Sequence, residues 1–167
     1  MQNIQEIIVP VDFHQHTEDL AAFAIGIANK LEAKLTFLNV SRIMAEGASY
    51  SDVVPTSFAV VDEELFGYAQ KKMTNLVEKS KSTCPGCTGV VLRGEVADAI
   101  VDYASDKNSD MIIMATHGAQ GIEKILLGSV AERVLKRASC PVLIFNPYKG
   151  ERGYQISSPI NEILQPV

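Results

Sequence analysis

The chain has 167 residues, 47% hydrophobic and 21% charged, with a formal net charge of −5 and three cysteines. That is the make-up of one globular domain with a full core. Without a clustered Lys/Arg run it lacks the footprint of a nucleic-acid binder, and no apolar run approaches the roughly 20 residues of a membrane helix.

The chain opens "MQNIQEIIVPVD", with no basic region leading into an apolar core and cleavage site, so a cytoplasmic location is expected, with no membrane partner. "EIIVPVD" is a near-continuous apolar run and predicts a buried strand. The next segment carries Leu20, Phe23, Ala24, Ile27, Ala28 and Leu31 at helical spacing. Thr17 is its expected N-cap, followed by Glu18 and Asp19 to complement the dipole of the first turn.

"KLTFLNV" predicts the second strand. Residues 41–62 form a connection too long for a routine loop. The second helix is marked by Leu65, Phe66, Ala69, Met73, Leu76 and Val77. The "CPGC" that follows, Cys84 to Cys87, has the spacing of a redox pair or half a zinc site. It comes after a helix rather than at the start of one, contains Pro-Gly and has no second Cys/His pair, so a turn with free thiols is expected.

"TGVVLR" predicts strand three, and "EVADAIVDYASDK" a helix buried through Val96, Ala97, Ile100, Val101 and Ala104. "DMIIMA" is strand four, a helix opens near Gly128, and Cys140, a small buried residue, precedes "PVLIF", strand five. Alternation from end to end predicts an α/β fold, an open five-stranded parallel sheet with helices on both faces. The domain is expected to span residues 1–147, with an extension over 148–167 that lies on the surface or reaches a neighbour.

The most uniformly apolar strands, "IIVPV" and "MIIMA", belong at the centre. Ligands of such sheets bind beyond the carboxyl ends of strands, where strand order reverses. Asp12 and the run Ala115, Thr116, His117, Gly118 fall at those two ends. The segment after strand four is not a Walker loop, because no Lys follows the glycine, and its glycine spacing is not the dinucleotide fingerprint. Two readings of Gly128-Ser129 stay open. Exposed amides at a helix start suit a phosphate chain; equally, Ser129 and Glu132 spell a capping box that needs no ligand. His14, His16 and His117 fall at the same end as Asp12, and are read as solvated or phosphate-facing rather than as metal ligands.

Together "IIVPVDFHQHTEDLAAFAIGIA", "LTFLNV" and "MIIMATHGAQGIEKILLGSVAERVLKRASCPVLIF" resemble the universal stress protein family over almost everything from Glu6 to Phe145. Its ATP-binding members carry Gly, two residues, Gly, nine residues, then Gly-Ser or Gly-Thr. Here Gly118, residues 119–127, Gly128 and Ser129 fit the later parts, and Ala115 stands where the first Gly is expected. One methyl group crowds approach to the ribose without forbidding it.

The resemblance implies a Rossmann-like sheet of order 3-2-1-4-5 and a stress-response role governed by bound ATP with Mg²⁺. It implies adenine near Pro10, Val11 and the backbone of Val40, Met114 as a further nucleotide-binding residue, and Asp12 serving ribose or cation. Ala115, His117, Gly118, Gly128, Ser129 and Val130 then surround the sugar and phosphates. It further implies a homodimer through the fifth strand and a protein partner of unknown identity. No nucleophile or base has an oriented partner, so any hydrolysis is expected to be slow. The rival expectation is the same fold working as a dimeric interaction module without nucleotide. A phosphotransfer domain would want more acids around Asp12.

Overall fold

A computed structural model describes residues 3–42, 56–116 and 127–147. The elements run β1 (Glu6–Pro10), α1 (Thr17–Leu31), β2 (Lys34–Ser41), α2 (Thr56–Ser80), β3 (Thr88–Arg93), α3 (Val96–Asp106), β4 (Met111–Ala115), α4 (Ser129–Arg137) and β5 (Val142–Phe145). All pairings are parallel and the order is β3-β2-β1-β4-β5, as expected. The expected extension over 148–167, His117, Gly118 and most of the 41–62 connection lie outside the described residues.

The central strands follow from their apolar runs. Ile7, Ile8 and Val9 of β1 and Ile112, Ile113 and Met114 of β4 are buried. Successive side chains leave opposite faces of a strand, so they divide between two cores. One packs Ile7, Val9, Leu35 and Phe37 with Leu20, Ala24 and Ile25 of α1 and Met73 and Leu76 of α2. The other packs Ile8, Leu38, Ile112 and Met114 with Ile100 of α3 and Val134 of α4.

Three boundary expectations shift. The second helix starts at Thr56, inside the expected 41–62 connection. Its first turns carry apolar residues that stay exposed, Val60, Val61 and Leu65 among them, so a stripe facing the core is a poor guide to where it begins. In α1 the buried face runs through Ala21 and Ile25 beside Leu20, Ala24 and Ala28, leaving Leu31 exposed. Its N-cap is His16, and the Thr17 hydroxyl donates to Asp12 Oδ1 at 3.3 Å instead of capping the helix.

The "CPGC" segment is a turn between α2 and β3, held by Cys84 N–H donating to Ser80 O and Cys87 N–H donating to Cys84 O. Both thiols are free and buried in the α1–α2 core. Burial pushes Cys84 up and, with the neighbouring Cys84 thiol, pushes Cys87 up to about 11. A thiol that stays protonated at neutral pH is a poor nucleophile and a poor metal ligand. Cys140 is half-buried rather than buried, because it sits in the bend leading to edge strand β5.

Candidate functional site

The sheet order reverses direction between β1 and β4, since β1 leads across to β2 and β4 leads the other way to β5. A cavity of about 910 Å³ opens there, at the carboxyl ends of β1, β2 and β4. Pro10, Val11, Asp12, Val40, Met114, Ala115, Gly128, Ser129 and Val130 all line it. Nine of the eleven expected site residues are thus brought together, and His117 and Gly118 are the two outside the described residues.

Local geometry explains the gathering. Pro10 ends β1 and has no N–H to donate, and the next residue, Val11, donates its N–H to Leu38 O at 2.9 Å. Phe13 then takes the left-handed conformation, φ 60, and turns the chain toward α1. Asp12 Oδ1 accepts from His14 N–H at 3.0 Å as well as from Thr17, leaving Oδ2 without a partner among the described residues. Across the cavity, Thr116 N–H donates to Phe145 O, and Gly128 N–H donates to Thr116 O at 2.8 Å. That second bond ties the start of α4 to the end of β4.

The helix starts around the cavity differ in charge. The first turn of α1 carries Glu18 and Asp19, which repel an anion. The start of α3 is occupied by its own cap, since the Glu95 carboxylate accepts from Ala97 N–H at 3.0 Å and Asp98 N–H at 3.2 Å. In α4 the N-cap is Gly128 and no side chain caps the first turn. The capping-box reading of Ser129 and Glu132 therefore fails. The cap falls one residue earlier than that box requires, and the Glu132 carboxylate bonds Lys136 at 2.6 Å. Among the described residues the amides of Ser129 and Val130 have no partner. The first turn of α4 carries one carboxylate, Glu132, which is engaged by Lys136, against two in α1, and its N–H groups are not taken by a side-chain cap as those of α3 are.

An ion cluster holds that start in place. Arg133 reaches Glu95 at 2.8 Å and Asp98 at 3.2 Å, and Arg137 also bonds Asp98, joining α4 to α3. The Arg137 guanidinium holds the Asp98 carboxyl below its ordinary range. Among the described residues no group of three or more His, Cys, Asp or Glu side chains is placed to hold a metal ion. No helix among them is long and apolar enough to cross a membrane.

Residues 3–146 match the model of the universal stress protein family. The chain belongs to that family. Universal stress protein MJ0531 of Methanocaldococcus jannaschii is 32% identical over 153 residues, covering 88% of this chain and 85% of the relative. Among solved structures, universal stress protein UspA from Lactobacillus plantarum superposes with a TM-score of 0.74 at 21% identity, covering 87% of this chain and 99% of that one. A universal stress protein in complex with cAMP gives 0.60 at 19% identity, covering 87% and 98%. One from Archaeoglobus fulgidus in complex with dAMP gives 0.51 at 20%, covering 86% and 98%. At such identities the structures share the fold.

In this universal stress protein the cavity also takes residues that the sequence did not mark. Asn39 of β2, Arg42 just beyond it, Thr17 and Leu20 of α1, and Ile100 of α3 all line it. Arg42 makes no ion pair among the described residues. The available signal was positional: Asn39 and Arg42 stand at the end of a strand neighbouring β1, where Val40 was already marked.

Proposed function

We propose that the protein binds an adenine nucleotide, ATP with Mg²⁺, in this cavity, and that occupancy biases its conformation or its choice of partner in a stress response. The uncapped start of α4 carries the reading. It aims partnerless amides and the positive end of a helix dipole at a roomy cavity beyond the strand ends. The cAMP and dAMP complexes of two structural neighbours support the same ligand class.

The base lies against Pro10, Val11, Val40 and Met114, and Ala115 faces the ribose. Ser129 and Val130 donate to phosphate, with Gly128 allowing close approach. His117 and Gly118 enter the proposal on the sequence motif alone. Asp12 Oδ2 serves the ribose or the cation, which keeps several waters and needs few protein ligands. Among the described cavity residues none is a nucleophile with an oriented base, so hydrolysis is slow.

Calorimetric titration with ATP and Mg²⁺ is expected to show a saturable single-site heat. No heat at millimolar ligand, with the protein folded, establishes instead the nucleotide-free interaction module. We also propose a homodimer through β5. All four of its residues are half-buried at the sheet edge, and pairing across a two-fold axis removes that edge. Sedimentation equilibrium should give twice the 18.2 kDa chain mass, and a monomer mass throughout the micromolar range overturns the dimer.

A further inference from the structure

Cys84 and Cys87 take no part in the cavity. Cys87 N–H donates to Cys84 O at 3.1 Å, which closes residues 84–87 into a hydrogen-bonded turn. A β-turn brings its first and fourth Cα atoms within about 7 Å, and a disulfide spans Cα separations of roughly 4.4–6.8 Å. Pro85 holds the second turn position, where its fixed φ is already that of the turn. Both cysteine side chains point the same way, into the α1–α2 core, at 6% and 5% exposure, while Pro85 and Gly86 between them are exposed. There the two thiols hydrogen-bond to each other. The turn is also pinned from its own flank. Cys84 N–H donates to Ser80 O at 2.8 Å, and Asn29 Nδ2 of α1 donates to Thr83 O at 2.9 Å.

We infer that Cys84 and Cys87 are a modification site, a dithiol that a low-molecular-weight disulfide converts to an intramolecular bridge and an external thiol reopens. Cys84 is the attacking group, since its sulfur accepts from the Cys87 thiol and the Cys87 N–H. Donors of that kind favour the thiolate. The Cys84 thiolate displaces one thiolate from the reagent and forms a mixed disulfide. Cys87 then gives up its proton and attacks Cys84 Sγ, expelling the second thiolate. One disulfide molecule is thereby reduced to two thiols, which take up the two cysteine protons. Burial keeps the thiolate fraction small, so the exchange is slow and records the redox balance of the surroundings. The folded turn aligns the sulfurs, so the bridge in turn favours the folded chain.

The test is to equilibrate the folded wild-type protein with mixtures of reduced and oxidised glutathione, quench in acid and digest with trypsin. Peptide 82–93 holds both cysteines and Cys140 falls in another, so mass spectrometry locates the bridge without any substitution. Peptide 82–93 is expected to be lighter by two hydrogens. At a fixed glutathione balance its bridged-to-open ratio should be about 10- to 30-fold higher in the folded protein than in urea, the factor for so short a loop. A peptide that keeps both thiols, or that carries glutathione at equilibrium in place of the bridge, overturns the inference. So does a ratio no higher in the folded protein than in the unfolded chain, because the turn then does nothing to align the sulfurs.

Discussion

Replacing Ser129 with proline is expected to weaken ATP binding about 10- to 100-fold while leaving the fold intact. Proline at the first helical position loses an N–H that no intrahelical bond uses, and its fixed φ suits a helix start. The residue before a proline must be extended, and Gly128 already is, with φ −62 and ψ 150. The tie from Gly128 N–H to Thr116 O is untouched. What the substitution removes is one open amide and the hydroxyl. Ser129→Ala, which keeps the amide, separates the two. Adenosine, without phosphate, should bind both variants as it binds the wild type. Undiminished ATP affinity in Ser129→Pro, with α4 intact by circular dichroism, means that the phosphates lie elsewhere.

Much of this site was legible because strand ends are legible. A five-residue run such as "MIIMA" has to be covered on both faces, which places it centrally, and the loop leaving it then lies at the sheet's midline. Asp12 and Ala115 were found by that route, and Gly128 by the helix it opens. Asn39 was not, although a carboxamide inside "KLTFLNV" is itself a signal, since a buried amide needs partners. Its partner, the Val11 carbonyl, belongs to a different strand, and strand register cannot be read from a single run of residues.

The capping box misled for a related reason. Ser129 and Glu132 have the right spacing, but a helix boundary inferred from pattern carries an error of a residue or two. A shift of one residue converts a capping serine into the first helical residue and leaves its amide open. At α2 the error was larger. Residues that ignore the core can still be helical, as Val60, Val61 and Leu65 are, and a stripe counted from buried positions starts too late.

The largest effect expected on stability is at Gly89 of β3, far from the cavity. Its sequence context, "TGVVLR", gives no reason for a glycine, because the strand needs no positive φ there. The reason is the closeness of α2. A Cβ built on Gly89 stands 2.5 Å from Met73 Cγ, 2.6 Å from Met73 Sδ and 2.8 Å from Val77 Cγ2. Met73 is itself buried, so it cannot swing into solvent to make room. Helix α2 and strand β3 have to separate, or Met73 has to leave its rotamer, and such overpacking costs about 1–3 kcal/mol. Gly89→Val, which adds two further carbons, is expected at the upper end of that range, measured as a lowered urea midpoint with unchanged m-value. Gly26 in α1 provides the contrast, since a Cβ there meets nothing within 4 Å. Gly26→Ala should stabilise the protein by about 0.5–1 kcal/mol, because alanine lowers the entropy cost of the helix. If Gly89→Val unfolds at the wild-type midpoint, α2 does not sit this close to β3. Because no described residue of α2 or β3 lines the cavity, ATP affinity of the folded Gly89→Val protein should match the wild type. The two halves of the molecule, one closely packed and one left open, then respond to substitution independently.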